Sequence, residues 1–283
     1  MTGRHGLSAE ERSAWQRDGY LVRRGVFSRA EVEDMGQHGE ALVADLVRDR
    51  RARRYKVGSY VFDPDFLRHV MIKWEGESDV VHGIEPFAHL SEPLRVWGLD
   101  PRLVDPMREL LDTPEPMLFT EKLNLKRPRH GGPNPLHQDY PYWVDSAQDP
   151  TRVATTIVYL DDATLANGCT WVVPGSHRAG KWKTREDTDE FGKNELDAAA
   201  YPDLAPVPLE VEAGATVTFG PFLVHQSTPN TSEQGRRALL YSYQPAGFKS
   251  MLDGMREMAA EVAARRAAKQ RETQVTPAAA RAR

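Results

Sequence analysis

The chain has 283 residues, a formal net charge of −4 and 40% hydrophobic residues, which suits one large domain. No window reaches the roughly 18 consecutive apolar residues of a membrane span, and Met1–His5 lacks the apolar core of a signal peptide. The single cysteine, Cys169, excludes an internal disulfide and fits a reducing cytoplasm, and the mild acidity argues against a nucleic-acid partner.

Residues 1–112 read mostly as helix. Ser8-Ala9-Glu10-Glu11 and Ser28-Arg29-Ala30-Glu31 both have capping-box spacing, and the second opens an amphipathic segment with Val32, Met35, Leu42 and Leu46. Tyr20-Leu21-Val22 is a short strand between the two helices. Asp100-Pro101 places an N-cap before a proline at the first helical position and starts a helix with Leu103, Val104, Met107 and Leu110. From residue 117 the period changes to two. Strands are expected over Met117–Lys126, Val153–Leu160, Thr170–Val173, Thr216–Val224 and Arg236–Gln244, and the β-branched run at 153–160 suits a strand covered on both faces. Helices followed by many short strands predict a helix-buttressed double-sheet barrel over residues 1–270. The polar stretch 178–206 reads either as a solvated loop or as a lid. Met251–Arg266 reads as a helix, and 271–283 as a frayed tail.

The chemistry centres on Leu136-His137-Gln138-Asp139-Tyr140. Strand spacing turns His137 and Asp139 to the same side, and Gly131-Gly132-Pro133 before them places the pair where a strand starts. His225, far downstream at the end of an apolar run, can complete a set of two histidines and one carboxylate. Such a triad binds one face of a ferrous ion and leaves the other open for a co-substrate and oxygen. Arg236 opens the strand after the turn Thr228–Gly235. Its guanidinium can grip a dicarboxylic co-substrate bidentately, with Ser227 donating to the same group, while Arg237 points outward as a solvated charge. The aromatics Tyr140, Trp143, Trp171 and Phe222, with Tyr142 and Gln138, read as a substrate pocket or as ordinary core. Lys122, Asn124 and Asp145 are polar candidates for the same space.

With these residues in hand, the sequence resembles the phytanoyl-CoA dioxygenase family of Fe(II)- and 2-oxoglutarate-dependent oxygenases. The likeness is carried by His137-Gln138-Asp139, by Asn167–His177, by His225 with Ser227 and Arg236, and by Gly19-Tyr20-Leu21-Val22 followed by Gly25–Ser28. The resemblance implies a mainly β protein with flanking helices and a double-stranded β-helix (jelly-roll, cupin-like) core. It implies Fe(II) on His137, Asp139 and His225, with 2-oxoglutarate and O2 as co-substrates. It places the distal carboxylate of 2-oxoglutarate on Arg236 and Ser227, makes Lys73 a second contact, and walls the pocket with Leu123 and Thr155 or Ile157. The retained Asp139 disfavours halogenation, and His177 takes a structural role.

The expected reaction is hydroxylation of an unactivated C–H bond in a small-molecule metabolite, releasing succinate and CO2, with no residue acting as general acid or base. The same machinery could carry out desaturation, epimerisation or ring closure. Two other classes stay open from the residues alone: a non-redox barrel that binds metal and a small molecule, and a zinc hydrolase.

Overall fold

The computed structural model describes residues 5–48, 55–57, 60–65, 67–76, 78–185 and 194–275. The elements in chain order are α1 (Ala9–Asp18), β1 (Tyr20–Arg23), α2 (Arg29–Arg48), β2 (Tyr55–Val57), β3 (Tyr60–Asp65), β4 (Val70–Trp74), β5 (Val81–Glu85), α3 (Glu92–Gly98) and α4 (Pro101–Leu110). Then come β6 (Pro116–Lys126), β7 (Asn134–His137), α5 (Tyr140–Trp143), β8 (Ala154–Tyr159), β9 (Thr170–Val172), β10 (Val207–Leu209), β11 (Thr216–Phe219), β12 (His225–Ser227), β13 (Arg236–Pro245) and α6 (Met251–Val275).

Two antiparallel sheets form the core. The larger has the order β1-β11-β8-β13-β6-β5-β4-β3-β2, and the smaller has the order β10-β9-β12-β7. The long pair β6 and β13 shows how alternation builds the layers. Leu123, Leu125, Leu239, Tyr241 and Tyr243 face outward and are covered by Met35 and Leu42 of α2, Leu94 of α3, and Leu103 and Met107 of α4. Lys122, Asn124, Arg236, Leu240 and Ser242 face inward, between the sheets. Strand β8 is buried along its whole length, with Val158 in the helix-facing core and Ile157 and Tyr159 in the inter-sheet core. That is the two-sided burial its apolar run predicts.

Helix starts follow the sequence. The Ser8 side chain accepts from the Glu11 amide while Glu11 reaches back to the Ser8 amide, and Ser28 and Glu31 make the same reciprocal pair. Asp100 caps α4 by accepting from the Arg102 amide. Gly98 lets α3 sit against the sheet: a Cβ there would lie 2.6 Å from the Tyr241 ring.

Four expectations need correction. Residues 1–112 are not mostly helix, because β2 to β5 extend the large sheet by four strands. The segment Val70–Trp74 alternates buried and half-buried positions, but its five residues carry only a weak period-two signal. The run Thr216–Val224 is not one strand. Gly220-Pro221 ends β11, and His225 belongs to β12 in the other sheet. Asp139 is not on a strand: β7 ends at His137, and Asp139 has helical dihedrals at the start of α5. Arg237 does turn outward, but it is half-buried and clamped to Asp161 by two bonds of 3.0 and 2.8 Å rather than solvated.

Among the described residues, no helix is long and apolar enough to cross a membrane. The helix expected at 251–266 runs on to Val275, so the first part of the expected tail is helical, and 276–283 lies outside the described residues. In the stretch 178–206, residues 186–193 also lie outside. The described remainder packs on the edge of β7: the Leu196 amide donates to Leu136, and the Trp182 ring lies 4.4 Å from that of Tyr201.

Candidate active site

A cavity of about 290 Å³ opens between the two sheets. His225 and His137 face each other as a direct pair across β12 and β7, with ring centroids 4.1 Å apart. Asp139 reaches the same point from the α5 start. Its Oδ1 lies 3.7 Å from His137 Nε2 and 3.8 Å from His225 Nε2, and the three ligand atoms all fall within 4.8 Å of one another.

Both rings are oriented by their own chain. His137 Nδ1 bonds the Pro135 carbonyl at 2.6 Å, and His225 Nδ1 bonds the Leu223 carbonyl at 3.0 Å. A carbonyl only accepts, so each Nδ1 carries the proton and each Nε2 offers its lone pair to the shared point. Burial, and next the neighbouring His225, hold the His137 imidazole well below its ordinary pKa, in the neutral form a metal requires. Burial pushes the Asp139 carboxyl up, opposed by His225 and Lys122. Two imidazoles that turn their Nε2 atoms to one point beside a carboxyl group, with cavity next to them, fit a divalent non-haem iron.

Two residues along β12, Ser227 lies opposite Asn134, whose amide donates to its hydroxyl at 3.2 Å. The Asn134 carbonyl accepts from Lys73 at 3.4 Å. Arg236 lines this end, buried at 3% exposure, with its guanidinium 5.8 Å from the Tyr159 ring centroid. Its Nε is buried without a hydrogen-bond partner, and it forms no salt bridge among the described residues. Burial draws its pKa down. A buried guanidinium lacking a carboxylate is costly by several kcal/mol, and an incoming carboxylate removes that cost. Lys73 is drawn down to about 7 by burial and by Lys122.

The remaining site expectations divide. Thr155, Ile157, Lys73, Trp143, Tyr142, Lys122 and Asn124 are in the cavity wall. Leu123 is not: by strand parity it faces α2, where it lies 3.1 Å from the position of a Cβ on Gly39. Gln138 is also not a pocket residue. Its amide is spent on the backbone, donating to the Gly180 and Phe222 carbonyls and accepting from the Trp182 amide. Tyr140 and Phe222 stack on each other at 4.6 Å and brace α5 against the loop before β12, away from the cavity wall. Trp171 packs against the cluster of Val172 and Leu209. Asp145 is exposed. Sequence reasoning passed over Met71, His82 and Glu85, which enter the wall from β4 and β5, and Met251 at the start of α6. The alternation of Val70–Trp74 was the available signal.

The phytanoyl-CoA dioxygenase (PhyH) family model matches residues 15–238. The chain belongs to the PhyH family. This PhyH member is 28% identical to an ectoine dioxygenase of Bordetella parapertussis over 84% of this chain and 75% of that one. It is 32% identical to an L-proline trans-4-hydroxylase of Streptomyces griseoviridis over 60% of this chain and 69% of that one. Among solved structures it resembles EctD from S. alaskensis, crystallised with 2-oxoglutarate and 5-hydroxyectoine, with a TM-score of 0.68 and 23% identity over 87% of this chain and 78% of that one. The double-stranded β-helix core is therefore the family fold. The protein is a 2-oxoglutarate-dependent non-haem iron dioxygenase that uses Fe(II), 2-oxoglutarate and O2.

Proposed function

We propose that this PhyH member hydroxylates an unactivated C–H bond of a small metabolite, with iron on His137, Asp139 and His225 and the distal carboxylate of 2-oxoglutarate on Arg236 and Ser227. The observation that carries the reading is Arg236: a buried guanidinium with no carboxylate partner among the described residues, lining the same cavity as a ready metal triad. When bound, iron and 2-oxoglutarate supply the oxidising power, with 2-oxoglutarate ending as succinate and CO2.

The residues of this chain supply placement. Pro135 and Leu223 hold the two imidazoles by their Nδ1 protons. Asn134 orients the Ser227 hydroxyl and links it to Lys73. Thr155 and Ile157 line the cavity from β8, level with Ser242 and Leu240 of β13, with Thr155 Oγ1 fixed 2.8 Å from Ser242 Oγ. No side chain needs to act as general acid or base. A cavity of about 290 Å³ that must also hold 2-oxoglutarate favours a compact substrate over the nucleotide of a coenzyme A thioester. The hydroxylation outcome is supported by the ectoine and proline enzymes among its relatives.

Anaerobic addition of Fe(II) and 2-oxoglutarate should produce the visible metal-to-keto-acid charge-transfer band, and oxygen should then release succinate. Arg236→Ala should weaken 2-oxoglutarate binding by about 10- to 100-fold, the loss of a charge-assisted bond of ~1.5–3 kcal/mol. Asp139→Ala should abolish iron retention. A band of unchanged strength in Arg236→Ala would sink the carboxylate assignment.

A further inference from the structure

The other end of the cavity carries an ion pair that the iron chemistry does not use. Lys122 Nζ lies 3.0 Å from Glu85 Oε2, and Thr120 donates to Glu85 Oε1 at 3.0 Å. The placement follows from register. Met71 pairs with Glu85 across β4 and β5, and Lys122 pairs with Leu240 across β6 and β13. Lys126, not Lys122, is the residue opposite Arg236. Lys122 therefore sits four strand positions from the Arg236 row, roughly 13 Å at 3.3 Å per residue. It remains within electrostatic reach of Asp139. Metal triad, Arg236 and ion pair thus line one cavity, the histidines of the triad from the small sheet and the other two from the large one, with the pair on the side away from the carboxylate anchor. Met71, Tyr142, Trp143 and Met251 line the same end.

Both charges are available to a ligand. The Lys122 side chain is 42% accessible although it lines the cavity, and that of Glu85 is 16% accessible. An ammonium has three donors, and among the described residues Lys122 makes only the Glu85 contact; each Glu85 oxygen keeps a second lone pair. A substrate that fills this end displaces the water solvating both groups. An apolar filler would leave the pair desolvated and half-satisfied, which is costly. A filler with one charge would satisfy one partner and oppose the other. A ligand that presents an acceptor anion to Lys122 and a donor cation to Glu85 meets both, and charge-assisted bonds to the two groups are about twice as strong as those a neutral donor and acceptor would make.

We infer that Glu85 and Lys122 are the specificity-determining pair of this enzyme, and that its substrate is a compact zwitterion carrying a protonated nitrogen and a carboxylate. The inference rests on the iron and 2-oxoglutarate reading above, because that reading decides which end is left for substrate.

The test uses the full chain loaded with Fe(II) and 2-oxoglutarate without oxygen, and reads binding by calorimetry. The probes are free amino and imino acids, their methyl esters (cation only), their N-acetyl derivatives (anion only) and their N-acetyl methyl esters (neutral). At least one free acid should bind, and at least tenfold more tightly than its three derivatives. Lys122→Met should weaken the free acid about tenfold and leave its ester unchanged; Glu85→Gln should weaken both acid and ester and spare the N-acetyl acid. The charge-transfer band reports whether each variant keeps its fold and its iron site. Equal binding of charged and neutral probes, or no binding of any free acid, with the band intact, overturns the pair's role and leaves the iron reading standing. A missing band in the unmodified protein overturns both.

Discussion

Single residues in this site do their work through backbone they fasten. Lys126 is the strongest case. Its ammonium is buried and donates to the Gly132 carbonyl at 2.6 Å and the Thr228 carbonyl at 2.5 Å. The first lies in the loop before His137, and the second follows Ser227. One cation therefore ties together the loops beside His137 and beside Ser227, which carry the proposed metal ligand and the proposed carboxylate contact. Burial, then the nearby Arg236, pull its pKa down to about 7, opposed by Glu75. Lys126→Met should destabilise the protein by about 2–4 kcal/mol, since two buried carbonyls lose their donor, and a urea melt measures this. It should also loosen iron and 2-oxoglutarate in a titration of the charge-transfer band, although Lys126 is not proposed to touch either. At this scale the grouping of His137, Asp139 and His225 was legible because a metal needs that chemistry, and the role read for Arg236 remains the proposal made above. Gln138 was misread because its neighbours are so distinctive, whereas its own amide serves backbone groups distant in the chain.

Elements carry two faces, and β6 shows the consequence for pH. Its inward face holds Thr120, Lys122 and Asn124 for the cavity, while Glu121 points the other way, into the helical layer at 7% exposure. Burial raises its pKa from 4.5 to about 7, although the Ala88 amide donates to it. A carboxyl whose folded pKa is raised favours the fold fully below about 4.5 and loses that contribution as pH rises through about 7. Glu121→Gln should therefore have little effect at pH 4 and stabilise the protein by up to about 3 kcal/mol at pH 8. Denaturant melts of both proteins across that range measure the difference, and a constant offset would contradict the assignment. The alternation of β6, β8 and β13 was readable because each is long and flanked by turns. Strands β4 and β5 were not, because each is only five residues long and is interrupted by a lysine, or by a histidine and a glutamate, so the period-two signal is weak. The polar residues that hid those strands are the ones that line the cavity.

On the scale of the whole molecule, the site is a joint. His137 and His225 come from the small sheet, Arg236 and Lys73 from the large one, and Tyr159 Oη donates across the gap to Thr170 at 2.8 Å. Ligands held from both sides act as cross-sheet ties. Iron and 2-oxoglutarate each at 100 times the dissociation constant should add about 2.7 kcal/mol apiece, or roughly 5–10 °C in melting temperature per ligand. Thermal scans with and without chelator read this directly. Arg236→Ala should keep the iron increment and lose the 2-oxoglutarate increment. The sheet order was beyond sequence reasoning, because β12 follows β11 after only five residues yet belongs to the opposite layer. Gly220-Pro221 marks a break but does not say which sheet comes next.

The two Nδ1 bonds have a practical consequence. Each histidine is set by a carbonyl two residues upstream in the chain, so the ligand atoms are in place before any metal arrives. A preset cluster of two imidazoles and a carboxylate has little means of rejecting other divalent ions, and nickel, copper and zinc bind such donors at least as tightly as iron. Protein recovered from a nickel-charged column should therefore carry an inert passenger ion. Its measured turnover will report the purification history until it is stripped with chelator and reloaded with Fe(II) under reducing conditions.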